Sequence, residues 1–165
     1  LPKTVPPKTV SKRLDLSFGI FARRGEKYSC YNYGYSGANR IALPWSGVLP
    51  ELKNRVEAAI ADISPTRFNS CLLNRYNNGN EGMAWHSDEG QGLAKDSAIA
   101  SLSLGATRKF AFKHKESKEK REMWLEHGQL IVMHGETQKH WLHTILKSTR
   151  IQEPRINLTF RVMAG

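Results

Sequence analysis

Between Leu49 and Ile63 the apolar residues Leu49, Leu52, Val56, Ala59, Ile60 and Ile63 recur at helical spacing among charged positions, which predicts one amphipathic helix with a single buried face. Asp62-Ile-Ser-Pro65 ends it, because the residue before a proline is pushed away from helical backbone. Beyond that point the pattern changes to alternation and short apolar runs. Strands are predicted over Phe68–Tyr76, Ala98–Gly105, Arg108–Lys113, Glu122–Leu125, Gln129–His134, His143–Leu146 and Arg155–Met163. Loops separate them at Asn77–Gly82, Glu89–Asp96, His114–Lys120 and Gly135–Lys139. A helix followed by many short strands predicts a mainly β (α+β) fold, a double-sheet barrel or jelly roll with the helix against one face.

Ahead of the helix, residues 1–17 mix prolines with Lys and Arg and show little periodicity, so they read as a basic extended arm. Phe18 to Tyr35 is rich in Gly, Tyr and Arg and reads as short strands and a loop, ending in Tyr31-Asn-Tyr33-Gly-Tyr35. No internal repeat is visible, and residues 18–165 are expected to form a single domain with a β core over 68–163.

Composition narrows the partners. A chain of 165 residues can bury a core without metal or disulfide staples. Its formal charge of +10 favours a polyanionic partner, nucleic acid ahead of a membrane surface. Cys30 and Cys71 have no CxxC spacing, so neither a disulfide framework nor a thiolate metal site is indicated. An intracellular setting is expected, the nucleus in a eukaryote or the cytoplasm in a bacterium. Apolar stretches such as Leu130-Ile131-Val132-Met133 are too short to span a bilayer, so a soluble protein, read as a monomer without membrane contact, is expected. The chain begins at Leu1 rather than methionine, and a targeting signal could lie outside it.

Candidate chemistry begins at Arg155-Ile-Asn-Leu-Thr-Phe-Arg161, where Arg155, Asn157, Thr159 and Arg161 share one face of a strand and Ile156, Leu158 and Phe160 the other. An edge strand could turn that polar face to water; a buried strand would need anions opposite two guanidiniums. Trp85-His86-Ser-Asp88 places an imidazole and a carboxylate on one face of an extended segment, where they can bind one metal from adjacent corners. The pair is weak alone and needs a third ligand, for which His143 in Trp141-Leu-His-Thr144 is the best candidate and His140 the runner-up. His114, His127 and His134 read as ordinary loop histidines. Two histidines and a carboxylate make the facial triad of non-haem Fe(II) oxygenases, although zinc would accept the same donors. Such an iron needs a chelating organic acid, and a 2-oxo dicarboxylate would present its far carboxylate to a guanidinium fork such as Arg155. Asn74 and Tyr76, two apart on a strand, could complete the polar lining.

Taken together, Asn74-Arg-Tyr76, Trp85-His86-Ser-Asp88-Glu89, Ile99 to Arg108, Glu126-His-Gly128, Gly135-Glu-Thr-Gln138, Trp141-Leu-His143 and Pro154 to Arg161 resemble the AlkB family of Fe(II)- and 2-oxoglutarate-dependent dioxygenases, nearest its nucleic-acid repair branch. The resemblance covers about Phe68 to Val162. It implies a double-stranded β-helix with iron on His86, Asp88 and His143. It also implies 2-oxoglutarate held by Asn74, Tyr76, Arg155, Thr159 and Arg161, with Asn157 supporting that wall and O2 as the second cosubstrate. The first third matches less closely; there Tyr33-Gly-Tyr35-Ser-Gly37 resembles part of a nucleotide-recognition lid, expected over residues 18–48. Tyr33, Tyr35 and Arg23 are carried over as substrate contacts on that ground, and aromatic faces would stack on an extruded base.

Glu89 has a chemistry of its own. Bases methylated on a ring nitrogen of the pairing edge, such as 1-methyladenine and 3-methylcytosine, are cations near neutral pH, and a buried carboxylate would favour them over neutral bases. A solvated loop acid is the other reading. The expected activity is oxidative demethylation of such bases in DNA or RNA with release of formaldehyde. The alternatives are an oxygenase acting on RNA marks such as N6-methyladenine, on a protein or on a small molecule, and a non-catalytic nucleic-acid-binding jelly roll. Basic residues at Lys113–Arg121, Lys147 and Arg150 are plausible phosphate contacts, with a solvated hairpin tip as the simpler reading of the run.

Overall fold

Alternation along the second half of the chain resolves into two antiparallel sheets that face each other. The computed structural model describes residues 6–13, 33–35, 38–40, 45–90 and 92–164. In chain order the elements are β1 (Thr9–Arg13), β2 (Tyr33–Tyr35), β3 (Ala38–Arg40), α1 (Leu49–Ile60), β4 (Ser70–Tyr76), β5 (Ile99–Gly105), β6 (Arg108–His114), β7 (Lys120–Leu125), β8 (Gln129–Met133), α2 (Thr137–His140), β9 (Trp141–Ile145) and β10 (Arg155–Arg161). The larger sheet has the order β1-β8-β5-β10-β4 and the smaller one β7-β6-β9; β2 and β3 pair with each other. This is the expected jelly roll, with strand ends within a few residues of the predicted ones. Among the described residues no helix is long and apolar enough to cross a membrane.

The larger sheet is buried on both faces. Leu73, Leu102, Leu130, Leu158 and Phe160 form one core with Leu52, Val56 and Ile60 of α1. Ile99, Ile131 and Met133 pack between the sheets with Phe110, Phe112, Leu125, Trp141 and Ile145. Each buried Leu or Ile contributes about 1.5–3 kcal/mol by leaving water. β10 lies centrally, flanked by β5 and β4, so its polar face turns into the space between the sheets rather than to solvent.

Three expectations are corrected. The helix stops at Ile60, not Ile63, because the Ile60 carbonyl accepts from the Ile63 and Ser64 amides in a terminal turn, with Pro65 beyond. Within the basic arm, Thr9–Arg13 forms strand β1, registered on β8 from Thr9 opposite Met133 to Arg13 opposite Gln129. That pairing covers the edge of β8, which would otherwise present unpaired backbone groups. The loop expected at Gly135–Lys139 contains the single turn α2, started where the Thr137 hydroxyl donates to the His134 carbonyl at 2.8 Å. Tyr33 and Tyr35 lie on β2, opposite Arg40 and Ala38. The side chains of Tyr33 and Tyr35, and the whole of Arg23, lie outside the described residues.

Candidate active site

Register on both flanks of β10 builds one wall of the site. Arg155 stands opposite Tyr76 of β4 and Gly105 of β5, Asn157 opposite Asn74 and Ser103, and Thr159 opposite Leu72 and Ser101. Gly105 has φ +87°, and a Cβ there would meet the Pro154 carbonyl oxygen at 2.5 Å, so glycine is what lets β10 enter beside β5. The polar face then fills in by hydrogen bonds. Arg155 Nη2 donates to Ser103 Oγ at 2.9 Å, Ser101 Oγ donates to Asn157 Oδ1 at 2.6 Å, and Asn157 Nδ2 donates to Thr159 Oγ1 at 2.8 Å. Asn157 therefore links Ser101 of β5 to Thr159 along the polar face.

Opposite this wall, the segment after the 77–82 loop runs back along β9. His86 and His143 exchange backbone hydrogen bonds, His86 N to His143 O at 3.1 Å and His143 N to His86 O at 2.8 Å. That bridge brings two distant histidines side by side, with ring centroids 4.2 Å apart. Donor atoms of His86, Asp88 and His143 all lie within 4.8 Å of one another, and no other such cluster occurs among the described residues. His143 sits inside β9 rather than at its start, against the Phe110 ring. His140 is not part of the cluster; it pairs with Glu136 at 3.5 Å and stacks on His114.

The donor set fits a divalent metal. His86 Nδ1 lies 2.8 Å from the Ala84 carbonyl, which can only accept, so that nitrogen carries the proton and Nε2 is left as the ligand. Arg161 Nη2 donates to Asp88 Oδ2 at 3.1 Å, while Asp88 Oδ1 and His143 Nδ1 are buried with no hydrogen-bond partner among the described residues. Buried polar atoms left this way are costly unless something else satisfies them. Burial alone would raise the Asp88 carboxyl, but the adjacent Arg161 guanidinium, by its charge and its hydrogen bond, leads the opposing influences that hold the pKa below the carboxylate value. Burial pushes His143 down to about 3, against the pull of Asp88, so its imidazole is neutral and needs no deprotonation to bind a metal.

Arg155 is a second buried cation in the cavity wall. It is fully buried, its Nε and Nη1 have no partner among the described residues, and burial and the nearby Arg108 lower its pKa to about 10 while Tyr76 acts the other way. It still carries its charge at neutral pH. The cavity is lined by the triad together with Asn74, Tyr76, Arg155, Asn157, Thr159 and Arg161. A 2-oxo dicarboxylate that chelated the metal and reached Arg155 would satisfy both sets of orphaned atoms.

Residues 6–161 match the family model of the 2OG-Fe(II) oxygenase superfamily. The chain belongs to that superfamily. Fe(II), 2-oxoglutarate and O2 are the cofactor and cosubstrates this membership implies. Mouse "DNA oxidative demethylase ALKBH2" is 38% identical over 137 residues, covering 78% of this chain and 56% of the mouse protein. Human "Alpha-ketoglutarate-dependent dioxygenase alkB homolog 3" is 40% identical over 141 residues, covering 79% and 48%. The chain thus spans about half the length of the curated relatives it matches, and these relatives bear out its AlkB resemblance. A solved OsALKBH1 structure superposes with a TM-score of 0.65 at 17% identity, covering 96% of this chain and 100% of that one, which supports the fold.

Glu89 departs from expectation. It is an exposed acid, not a buried one, because it follows Asp88 out of the cavity and its carboxylate accepts from Lys115 Nζ at 2.9 Å. That hydrogen bond and the lysine charge lower its pKa. Ser101 and Ser103 of β5, within the Ile99 to Arg108 stretch but without an expected role, support the wall, a consequence of the alternation in Ser101-Leu-Ser103 set against β10. Gln138, within the quoted Gly135–Gln138 motif, accepts from the Asp88 amide at 2.9 Å and fixes that ligand's backbone.

Proposed function

We propose that this chain is an Fe(II)- and 2-oxoglutarate-dependent dioxygenase that demethylates N-alkylated bases of the 1-methyladenine and 3-methylcytosine type in nucleic acid. The observation that carries the reading is the single cavity in which His86, Asp88 and His143 face the polar side of β10. The activities named for the relatives, one a DNA oxidative demethylase, support the substrate class. The charge of +10 supports a polyanionic partner.

When bound, the metal and cosubstrate supply the oxidation: O2 and 2-oxoglutarate yield succinate and carbon dioxide, and the N-methyl carbon leaves as formaldehyde. The chain's own residues do the positioning. His86, Asp88 and His143 would hold the metal; Arg161 donates to one carboxylate oxygen of Asp88 and leaves the other, buried and without a hydrogen-bond partner among the described residues, to serve as the ligand. Arg155 would receive the distal carboxylate of the cosubstrate; Asn74, Tyr76 and Thr159 line the same cavity. Leu72, Met83, Phe110, Met133 and Ile145 supply the apolar part of the cavity lining.

Glu89 would draw a cationic base toward the mouth, in competition with Lys115. Its exposure makes this a modest preference. Tyr33 and Tyr35 would stack on the extruded base, and Arg23 would contact the substrate from the same segment.

The deciding experiment measures formaldehyde release with Fe(II) and 2-oxoglutarate on 1-methyladenine, 3-methylcytosine and N6-methyladenine in matched single- and double-stranded DNA and RNA. Turnover of the two cationic bases is expected, with affinity falling as salt rises. No turnover on any substrate overturns the proposal. Undiminished turnover in both Tyr35→Ala and Glu89→Ala would remove the assigned substrate contacts.

A further inference from the structure

Arg108, the first residue of β6, is wholly buried and makes no ion pair among the described residues. Its guanidinium donates instead to three main-chain carbonyls, Nη1 to Asn78 at 3.3 Å and Nη2 to Glu81 at 2.7 Å and Leu146 at 2.9 Å. Taking a guanidinium out of water is costly even with three carbonyls as acceptors and the charge of Glu81 nearby.

The three carbonyls belong to two segments that lead to the site. Asn78 and Glu81 lie in the loop that leaves β4 directly after Tyr76; Leu146 follows β9, which carries His143. The same loop is braced from within, since the Asn77 amide and Nδ2 donate to the Glu81 carboxylate at 2.8 and 2.9 Å. It is also braced from outside, where the Gly79 amide donates to Ile151 O at 2.7 Å and Ser148 N donates to Gly79 O at 2.8 Å. Arg108 ties this loop to the smaller sheet.

Its second contact is with the Tyr76 ring. The Arg108 guanidinium carbon lies 5.7 Å from the ring centroid, and that of Arg155 lies 5.6 Å from the same centroid. Tyr76 is also the cross-strand partner of Arg155. Two buried guanidiniums therefore share one phenol, and only Arg155 lines the cavity.

We propose that Arg108 is a positioning residue for the 2-oxo dicarboxylate: it holds the Tyr76 ring and the 77–82 loop against Arg155, so that phenol and guanidinium meet the distal carboxylate together. Arg108 does not itself touch the cosubstrate. The inference rests on the assignment of Tyr76 and Arg155 to that carboxylate. A residue that served only to hold the fold together would change stability without changing how the site distinguishes 2-oxo acids that have a distal carboxylate from those that lack one.

The test is calorimetric titration of the Mn(II)-loaded protein with 2-oxoglutarate and, by displacement, with 2-oxobutyrate, which lacks the distal carboxylate. Arg108→Gln is expected to weaken 2-oxoglutarate by roughly tenfold to a hundredfold, the range for a partner that orients a ligand. Arg108→Lys keeps a cation over the ring but cannot reach three carbonyls, and should fall between Arg108→Gln and the unaltered protein. Binding of 2-oxobutyrate and of Mn(II) should not change. Unaltered 2-oxoglutarate affinity in folded Arg108→Lys, or equal weakening of both acids, overturns the proposal; if Arg108→Gln does not fold, Arg108→Lys decides. Arg155→Gln and Tyr76→Phe are titrated in parallel. If neither weakens 2-oxoglutarate, the parent assignment fails; if both do while Arg108→Lys does not, only the inference about Arg108 fails.

Discussion

Arg161 Nη2 donates to Asp88 Oδ2 at 3.1 Å, joining the end of the β10 wall to the carboxylate of the metal triad in a pair almost wholly removed from water. Removing one partner of such a pair leaves an uncompensated buried charge. Arg161→Gln is therefore expected to weaken Mn(II) binding by roughly ten- to a hundredfold, because it frees Asp88 to turn. A Mn(II) titration followed by electron paramagnetic resonance would measure this, and an unchanged dissociation constant would mean that the pair does not orient the ligand.

At the other end of β10, Arg155 has buried donors with no partner among the described residues. Arg155→Met should cost little stability, since it replaces an under-satisfied cation by an apolar chain. Binding of 2-oxoglutarate should suffer instead, by about 2–5 kcal/mol for loss of a buried charge-assisted pair. Thermal shift with and without 2-oxoglutarate separates the two effects: the variant should keep its melting temperature and lose the shift.

The stability of the metal-free protein should depend on pH in a definite direction. His143 has a folded-state pKa of about 3 against an ordinary 6.5, so between those values the unfolded chain binds a proton that the folded one refuses. Stability contributed by the neutral imidazole is fully present above 6.5 and lost as pH falls toward 3. Asp88, lowered from its ordinary 3.8, adds a loss of the same sign at the acid end. The urea midpoint should drop from pH 7.5 to pH 5, and His143→Gln should flatten that slope.

Leu158 lies on the opposite face of β10 from the site, fully buried in the cluster that includes α1. Leu158→Ala should destabilise by about 2–5 kcal/mol through lost burial and a residual cavity. Urea unfolding gives that value. Affinity for 2-oxoglutarate, measured where the variant is folded, should stay close to that of the unaltered chain, because its contacts are on the other side of the strand.

Much of this molecule is local, and local features can be read in sequence. The spacing of Leu52, Val56 and Ile60 determined a helix and its buried stripe, because side chains three and four apart share a helical face. The alternation from Arg155 to Arg161 determined which residues would stand together, because a strand has a period of two. His86 and Asp88 were paired by the same rule. The helix end and the strand in the basic arm were not legible, since the first depends on how a terminal turn closes and the second on an open edge far away in sequence.

Local spacing thus grouped the side chains: a polar set on β10, a His-x-Asp pair, and a separate histidine that could complete it. Where those groups face follows from long-range packing. β10 became central rather than an edge because β5 and β4 flank it, which denies its arginines water and turns them toward the triad. The His86–His143 bridge selected His143 over His140, and the exit of the chain after Asp88 left Glu89 in solvent. These outcomes depend on contacts between residues tens of positions apart. No periodicity encodes them, because they follow from which strands pair and how the two sheets close on each other.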